Sequence, residues 1–312
     1  MRRTLGVLIT YRNERELLRE CLESLRVQRD VPEEVLIYDD ASDFPACDYV
    51  PREMACRIIR GEVNRGPAYG RNVLLRASRS DYIHFHDADD LFHPEWCPRV
   101  RQVIEESNAD VILTEICSME NGRVVCDHVL GLDRLRGGSD LVRFCIEGAV
   151  LTPAGTYRRS CVVAIGGYRE QLWQSEDFDF HIRLAASGVS YKIIREPLVI
   201  IRLRASGRSR NQVEVWASAV EAITFLSKEL PSDYYPILAE KAAECGSALF
   251  RLGAHTEACE AFQLAHELGP PTFRGRRALY RAMAKLFGPL VAERMGSLYR
   301  RVLPEWVRRH LD

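Results

Sequence analysis

An α/β fold is what this sequence predicts: a mainly parallel sheet flanked by helices, with a C-terminal all-helical extension. Short apolar runs alternate with helical patterns over residues 1–210, which implies right-handed crossovers between parallel strands. Polar clusters follow three of those runs, at Thr10-Tyr11, Asp39-Asp40 and Asp87-Ala88-Asp89-Asp90. In sheets of this kind a ligand sits beyond the carboxyl ends of the strands. After residue 211 the periodicity is helical throughout.

Residues 5–10 form the first expected strand. The opening Met1-Arg2-Arg3 followed by an apolar run has the look of a secretory leader, but the run is short and meets Arg12, Glu14 and Arg15 at once, so it reads as a core strand. Asn13 is placed to cap a helix, with Glu16 three residues on. Leu17, Leu18, Cys21, Leu22 and Leu25 then recur on one face. Residues 35–38 and 57–59 are the second and third strands. Gly66-Pro67 opens a helix over 68–77, where free N–H groups favour anions and Arg71 lies one turn in. The same stretch also reads as a plain helix start with Arg71 solvated. Ile83 and Phe85 alternate with polar neighbours in a fourth strand, 82–86. Another strand is expected over 109–114, a loop over 120–138 and a helix over 139–147. From Ser175, expected as a cap, Phe178, Ile182 and Leu184 mark a further helix whose first turn holds Glu176, Asp177 and Asp179. Those acids complement the helix dipole, or one of them serves as a general base.

The chain has 312 residues and a formal net charge of −1, so no global field argues for nucleic acid or a membrane. No apolar run approaches the ~18 residues of a membrane span. Ten cysteines are scattered without a CxxC pair, and reduced thiols in a cytoplasmic protein are the simplest reading. Three carboxylates within four residues, Asp87, Asp89 and Asp90, repel one another. A hard divalent cation, Mg²⁺ or Mn²⁺, taking its other ligands from phosphate and water would relieve that. An acidic turn before the next helix is the other reading. The Gly and Glu of an EF-hand loop are missing, as are GxGxxG and a P-loop.

Taken together, Leu8-Ile9-Thr10-Tyr11-Arg12-Asn13-Glu14, Tyr38-Asp39-Asp40-Ala41-Ser42, Asn64-Arg65-Gly66 with Arg71-Asn72, Asp87-Ala88-Asp89-Asp90 and Ser175-Glu176-Asp177 resemble, in order and spacing, the family 2 glycosyltransferases. The resemblance covers roughly residues 4–210. It implies a GT-A, Rossmann-like fold, a nucleotide-sugar donor (most often UDP-linked), Mn²⁺ or Mg²⁺, and inversion at the anomeric carbon. It casts Tyr11 as the residue stacking on the base, Asp39 as acceptor for a base N–H, and Arg71 as a nucleotide contact. Thr10 and Glu14 lie in the same donor-binding stretch. Asp87 corresponds to the ribose- or metal-side carboxylate of a DxD motif, Asp89 to the metal ligand, with Asp90 supporting. Asp177 corresponds to the catalytic base and Glu176 to its neighbour on the acceptor side.

One position departs from the family pattern. Arg204 stands where relatives carry a His that helps hold the metal or diphosphate, and a guanidinium cannot ligate a metal. Arg202 and Arg204, with Arg208 and Arg210, either clamp the diphosphate or form a solvated basic loop. The expected division is a transferase domain over 1–210 and a helical region over 211–312. In the latter, Gly246, Leu249, Gly253, Ala258, Phe262, Ala265 and Pro270 match one tetratricopeptide-like helix pair. The basic amphipathic tail packs as an ordinary helix or touches the inner face of a membrane, which would suit a lipid-linked acceptor. The expected function is hexosyl transfer from a nucleotide sugar to a carbohydrate or lipid-linked hydroxyl in polysaccharide or glycoconjugate assembly. The rivals are an inactive nucleotide-binding scaffold and a nucleotidyltransferase.

Overall fold

The computed structural model describes residues 2–120, 122–125, 130–135, 140–148, 150–204, 210–273 and 277–302, with backbone alone over 299–302. The chain divides into two compact units, Met1–Arg210 and Asn211–Asp312.

The strands of the first unit are β1 (Leu5–Tyr11), β2 (Glu34–Asp39), β3 (Arg57–Arg60), β4 (Tyr82–Asp87), β5 (Leu91–Phe92), β6 (Val111–Glu120), β7 (Arg123–Val125), β8 (Gly155–Arg158) and β9 (Tyr191–Arg202). Its helices are α1 (Glu16–Arg26), α2 (Gly66–Ala77), α3 (Trp96–Glu106), α4 (Leu141–Glu147), α5 (Arg159–Ala164) and α6 (Glu176–Ala186). The sheet runs β3-β2-β1-β4-β8-β6-β9-β5, with β7 added to β6. Leu5, Val7, Leu8 and Ile9 of β1 are fully buried, as a central strand covered on both faces must be. Leu18, Cys21, Leu22 and Leu25 of α1 supply part of that cover.

β3, β2, β1 and β4 are parallel, as the alternation predicts. Beyond β4 the sheet is mixed: β8 lies antiparallel to both β4 and β6, β6 is parallel to β9, and β5 is antiparallel to β9. A mainly parallel sheet thus describes only the N-terminal half. β8 is four residues reached through a 3-10 turn at Thr152–Ala154 rather than through a crossover helix, and so short a run carries no readable period.

Several local expectations change. Asn13 does not cap α1; the cap position is Arg15, and Asn13 instead accepts from Phe44 N–H and donates to Asp43. Ser175 stands at the cap of α6 in the left-handed region, φ 54°, without a side-chain capping bond. The stretch read as loop from 120 holds β7 and a 3-10 turn at Leu132–Arg134; 121, 126–129 and 136–139 lie outside the described residues. The helix expected over 139–147 runs over Leu141–Glu147 and is capped by Asp140, which accepts from Arg143 N–H. Among the described residues eight cysteines are free, but Cys117 is disulfide-bonded, so the expectation of reduced thiols fails there.

The second unit contains α7 (Gln212–Glu229), α8 (Tyr235–Arg251), α9 (His255–Leu268), α10 (Ala278–Phe287) and α11 (Pro289–Val302). α8 and α9 pack closely because Gly246 has no side chain. A Cβ there would lie 2.9 Å from Phe262 Cδ1. Among the described residues no helix is long and apolar enough to cross a membrane.

Candidate active site

The parallel half of the sheet lines its polar ends up by register. Thr10 stands opposite Tyr38 on one side and Asp87 on the other, and Tyr11 stands opposite Asp39. The carboxyl ends of β1, β2 and β4 therefore form one edge, where such folds bind ligands.

At β2 that edge is tied to its own loop. Asp39 accepts N–H bonds from Ser42 and Ala46, both at 2.9 Å, and its Oδ2 lies 3.5 Å from Arg60 Nη1. Tyr11 donates its hydroxyl to Phe44 O at 2.6 Å and is 1% exposed, and burial pushes its phenol up to about 12. Tyr11 therefore presents no open ring face as the loop stands. Beside the loop, a cleft of about 640 Å³ is lined by Ala41, Ser42, Asp43, Arg60, Gly61 and Glu62. Asp40 accepts from Arg65 and Gly66 N–H, each at 2.8 Å. The start of α2, expected to offer free N–H groups to an anion, thus has two of them taken by the protein's own carboxylate.

Arg71 joins two distant parts of the chain. Its side chain is 4% exposed, with Nη2 2.8 Å from Asp87 Oδ1 and Nη1 2.8 Å from Glu176 Oε1. The reading of Arg71 as a solvated residue is excluded. The end of β4 and the start of α6 are held together through its side chain. Arg71 Cζ sits 5.1 Å from the centre of the Tyr168 ring, which stacks on Phe180 at 4.1 Å. Asn72 holds this turn to α2, donating to Tyr168 O and accepting from Tyr168 N–H.

The acidic cluster is crowded. Burial, then the charge of Asp87, raises the Asp89 carboxyl, while Arg204 opposes the shift through an ion pair of 2.5 Å. Asp90, raised well above the usual range by burial and then by Asp89, accepts the N–H of Arg202 at 2.9 Å and so pins β9 to the cluster. Glu14, partly buried, is raised to about 7 by burial, with Asp89 adding to it. Among the described residues no three His, Cys, Asp or Glu side chains form a metal-holding group. The donor set is nonetheless hard oxygen, and its buried like charges suit a cation that takes its remaining ligands elsewhere.

Asp177 is half-buried beside Glu176. Burial first, then Glu176, pushes its carboxyl up to about 7, while Arg71 opposes the shift. Its main-chain carbonyl lies 2.7 Å from His181 Nδ1, and His181 Nε2 lies 2.7 Å from the Tyr157 hydroxyl. Burial pushes His181 down to about 4, so it is neutral and holds the first turn of α6 in place. Asp179 is fully buried between Arg169 and Arg183. The motifs include Asp40 and Asn72 but give them no role, and sequence reasoning missed Tyr157 and His181. Arg208 lies outside the described residues.

A mixed sheet with flanking helices and acidic clusters at one edge is also the frame of solved GT-A structures. The structure superposes on S. aureus TarS 1-349 solved with UDP-GlcNAc at TM-score 0.71, with 18% identity over 96% of this chain and 91% of that one. It also superposes on mannosyltransferase PcManGT from Pyrobaculum calidifontis solved with GDP-Man and Mn²⁺, at TM-score 0.59, with 18% identity over 96% and 88%. At these identities the likeness establishes the fold. Residues 6–149 match the model of glycosyl transferase family 2. An uncharacterized glycosyltransferase of Haemophilus influenzae is 32% identical over 199 residues, 62% of this chain and 66% of that protein. The succinoglycan biosynthesis protein ExoU of Rhizobium meliloti is 29% identical over 209 residues, 60% and 58%. The chain thus spans between 58% and 66% of the length of these two relatives.

Proposed function

We propose that the first unit transfers a sugar from a nucleotide-sugar donor, UDP-linked, to a hydroxyl acceptor with inversion at the anomeric carbon. The observation that supports this is the Arg71 bridge, which ties Asp87 of the acidic cluster to Glu176, the neighbour of Asp177. TarS, whose fold this chain shares, was solved with UDP-GlcNAc.

In this reading the base is received at the edge of β2, where Asp39 keeps unused lone pairs beside the 41–46 loop, and the loop moves to open the ring of Tyr11. Thr10 and Glu14 border the donor. Asp89 and Asp87 would hold a Mn²⁺ or Mg²⁺ ion, whose chemistry is to neutralise charge on the departing diphosphate. Asp177 accepts the proton of the acceptor hydroxyl; that oxygen bonds to C1 as the C1–oxygen bond to the diphosphate breaks, and the bonding pair leaves with the nucleotide. A carboxyl near 7 is half-ionised at neutral pH, which suits such a base. Glu176, fixed by Arg71, borders the acceptor side. Buried acids at a transfer centre favour catalysis over an inactive scaffold.

Thermal shift with nucleotide separates the readings: UDP with Mn²⁺ is expected to raise the melting temperature more than either alone. No shift with any nucleotide contradicts a donor site.

For the second unit we propose contact with an anionic membrane surface, which suits assembly of polysaccharide or glycoconjugate on a lipid-linked acceptor. Leu279, Leu286, Phe287, Met295 and Leu298 of α10 and α11 are exposed, and Arg281, Lys285 and Arg294 are exposed beside them. The chain is expected to float with vesicles containing anionic lipid and not with zwitterionic ones. Equal recovery from both contradicts the contact.

A further inference from the structure

Arg204 occupies the place that the proposed cation would need. Its Nη2 lies 2.5 Å from Asp89 Oδ2, with the two side chains 32% and 19% exposed. Its Nε is buried without a hydrogen-bond partner. Among the described residues, Asp89 is the one ion-pair partner of this guanidinium. Arg202, two residues earlier on β9, differs: its side chain pairs with Glu20 and its N–H is held by Asp90. Arg204 is the more exposed of the two, 32% against 11%, and its head group lies on the Asp89 carboxylate.

We infer that Arg204 is an exchangeable counter-ion: it neutralises Asp89 in the donor-free protein, yields that carboxylate to the divalent ion when donor arrives, and pairs with the diphosphate instead. The inference rests on the transferase reading above and specifies how that site is assembled. Asp87 has Arg71 as its own counter-charge at 2.8 Å. Asp89, crowded by Asp87 and by the partly buried Glu14, depends on Arg204. A guanidinium has no lone pair with which to enter the coordination shell, and its positive charge on Asp89 Oδ2 repels a cation approaching the same carboxylate. A diphosphate offers paired oxygens to the planar, bidentate fork of the displaced guanidinium. Cation and donor therefore bind with positive coupling that passes through one side chain.

The test is Mn²⁺ binding by the full chain, read from the electron paramagnetic resonance of free Mn²⁺, with UDP as probe. Wild-type protein is expected to bind Mn²⁺ weakly alone and at least about tenfold more tightly with UDP, within the usual range of such couplings. Arg204→Gln is expected to bind Mn²⁺ more tightly than wild type without UDP and to gain less from adding it. Arg204→Lys, which keeps the charge, should stay weak without UDP. Should Arg204→Gln melt like wild type yet show unchanged or weaker donor-free Mn²⁺ binding, the exchange is wrong while the transferase site stands. Should wild type take up no Mn²⁺ even with UDP, the cation site itself falls and the exchange with it. A crystal structure with Mn²⁺ and UDP provides a second readout: Arg204 off Asp89 and on the diphosphate supports the exchange, and an intact Arg204–Asp89 pair overturns it.

Discussion

Arg71 and Asp177 are the residues on which the site turns. Arg71 is buried between Asp87 and Glu176. Removing one partner of a buried pair leaves uncompensated charge, at a cost of about 3–5 kcal/mol. Arg71→Met is expected to lose stability on that order in chemical denaturation; a loss within error would mean the bridge is not formed in solution. Asp177 makes the opposite prediction. Its folded carboxyl is raised to about 7 from about 4 in the unfolded chain. The stability it contributes is full below about pH 4 and is lost as pH climbs through about 7. Asp177→Asn is therefore expected to melt higher than wild type at pH 8. Turnover in wild type should rise with pH through about 7, following ionisation of the base. A pH-independent profile would assign the proton to another group.

At the scale of elements, the parallel strands and the acidic edge were legible because buried apolar runs and Asp clusters are local patterns. The mixed half was not. β8 and β5 are four and two residues long and gain their identity from pairing with β4, β6 and β9. The start of α2 was misjudged for a similar reason: Asp40, 26 residues before Gly66, fills it. Asp40→Ala should cost about 0.5–2 kcal/mol, as loss of a cap does, seen as a lower denaturation midpoint. The motifs marked Arg71 as important, but its partner Glu176, 105 residues away, is fixed by tertiary packing alone. Gly246 makes an element-level prediction in the second unit. A side chain there meets Phe262 at 2.9 Å, and Gly246→Val should cost about 1–3 kcal/mol by overpacking. Unchanged stability would show that the α8–α9 contact relaxes freely.

For the whole molecule, the two units divide the proposed work. The first, whose residues 6–149 match the family 2 model, carries the proposed donor site and base; the second carries the proposed surface contact. The most direct measurement of the central claim is nucleoside diphosphate release from a panel of nucleotide sugars, with Mn²⁺, by wild type and Asp177→Asn. The account predicts that wild type turns over at least one UDP-sugar, and that Asp177→Asn keeps its affinity for that donor while turnover falls about 10²- to 10⁴-fold. Equal turnover by the two proteins, or no donor bound by either, would contradict it.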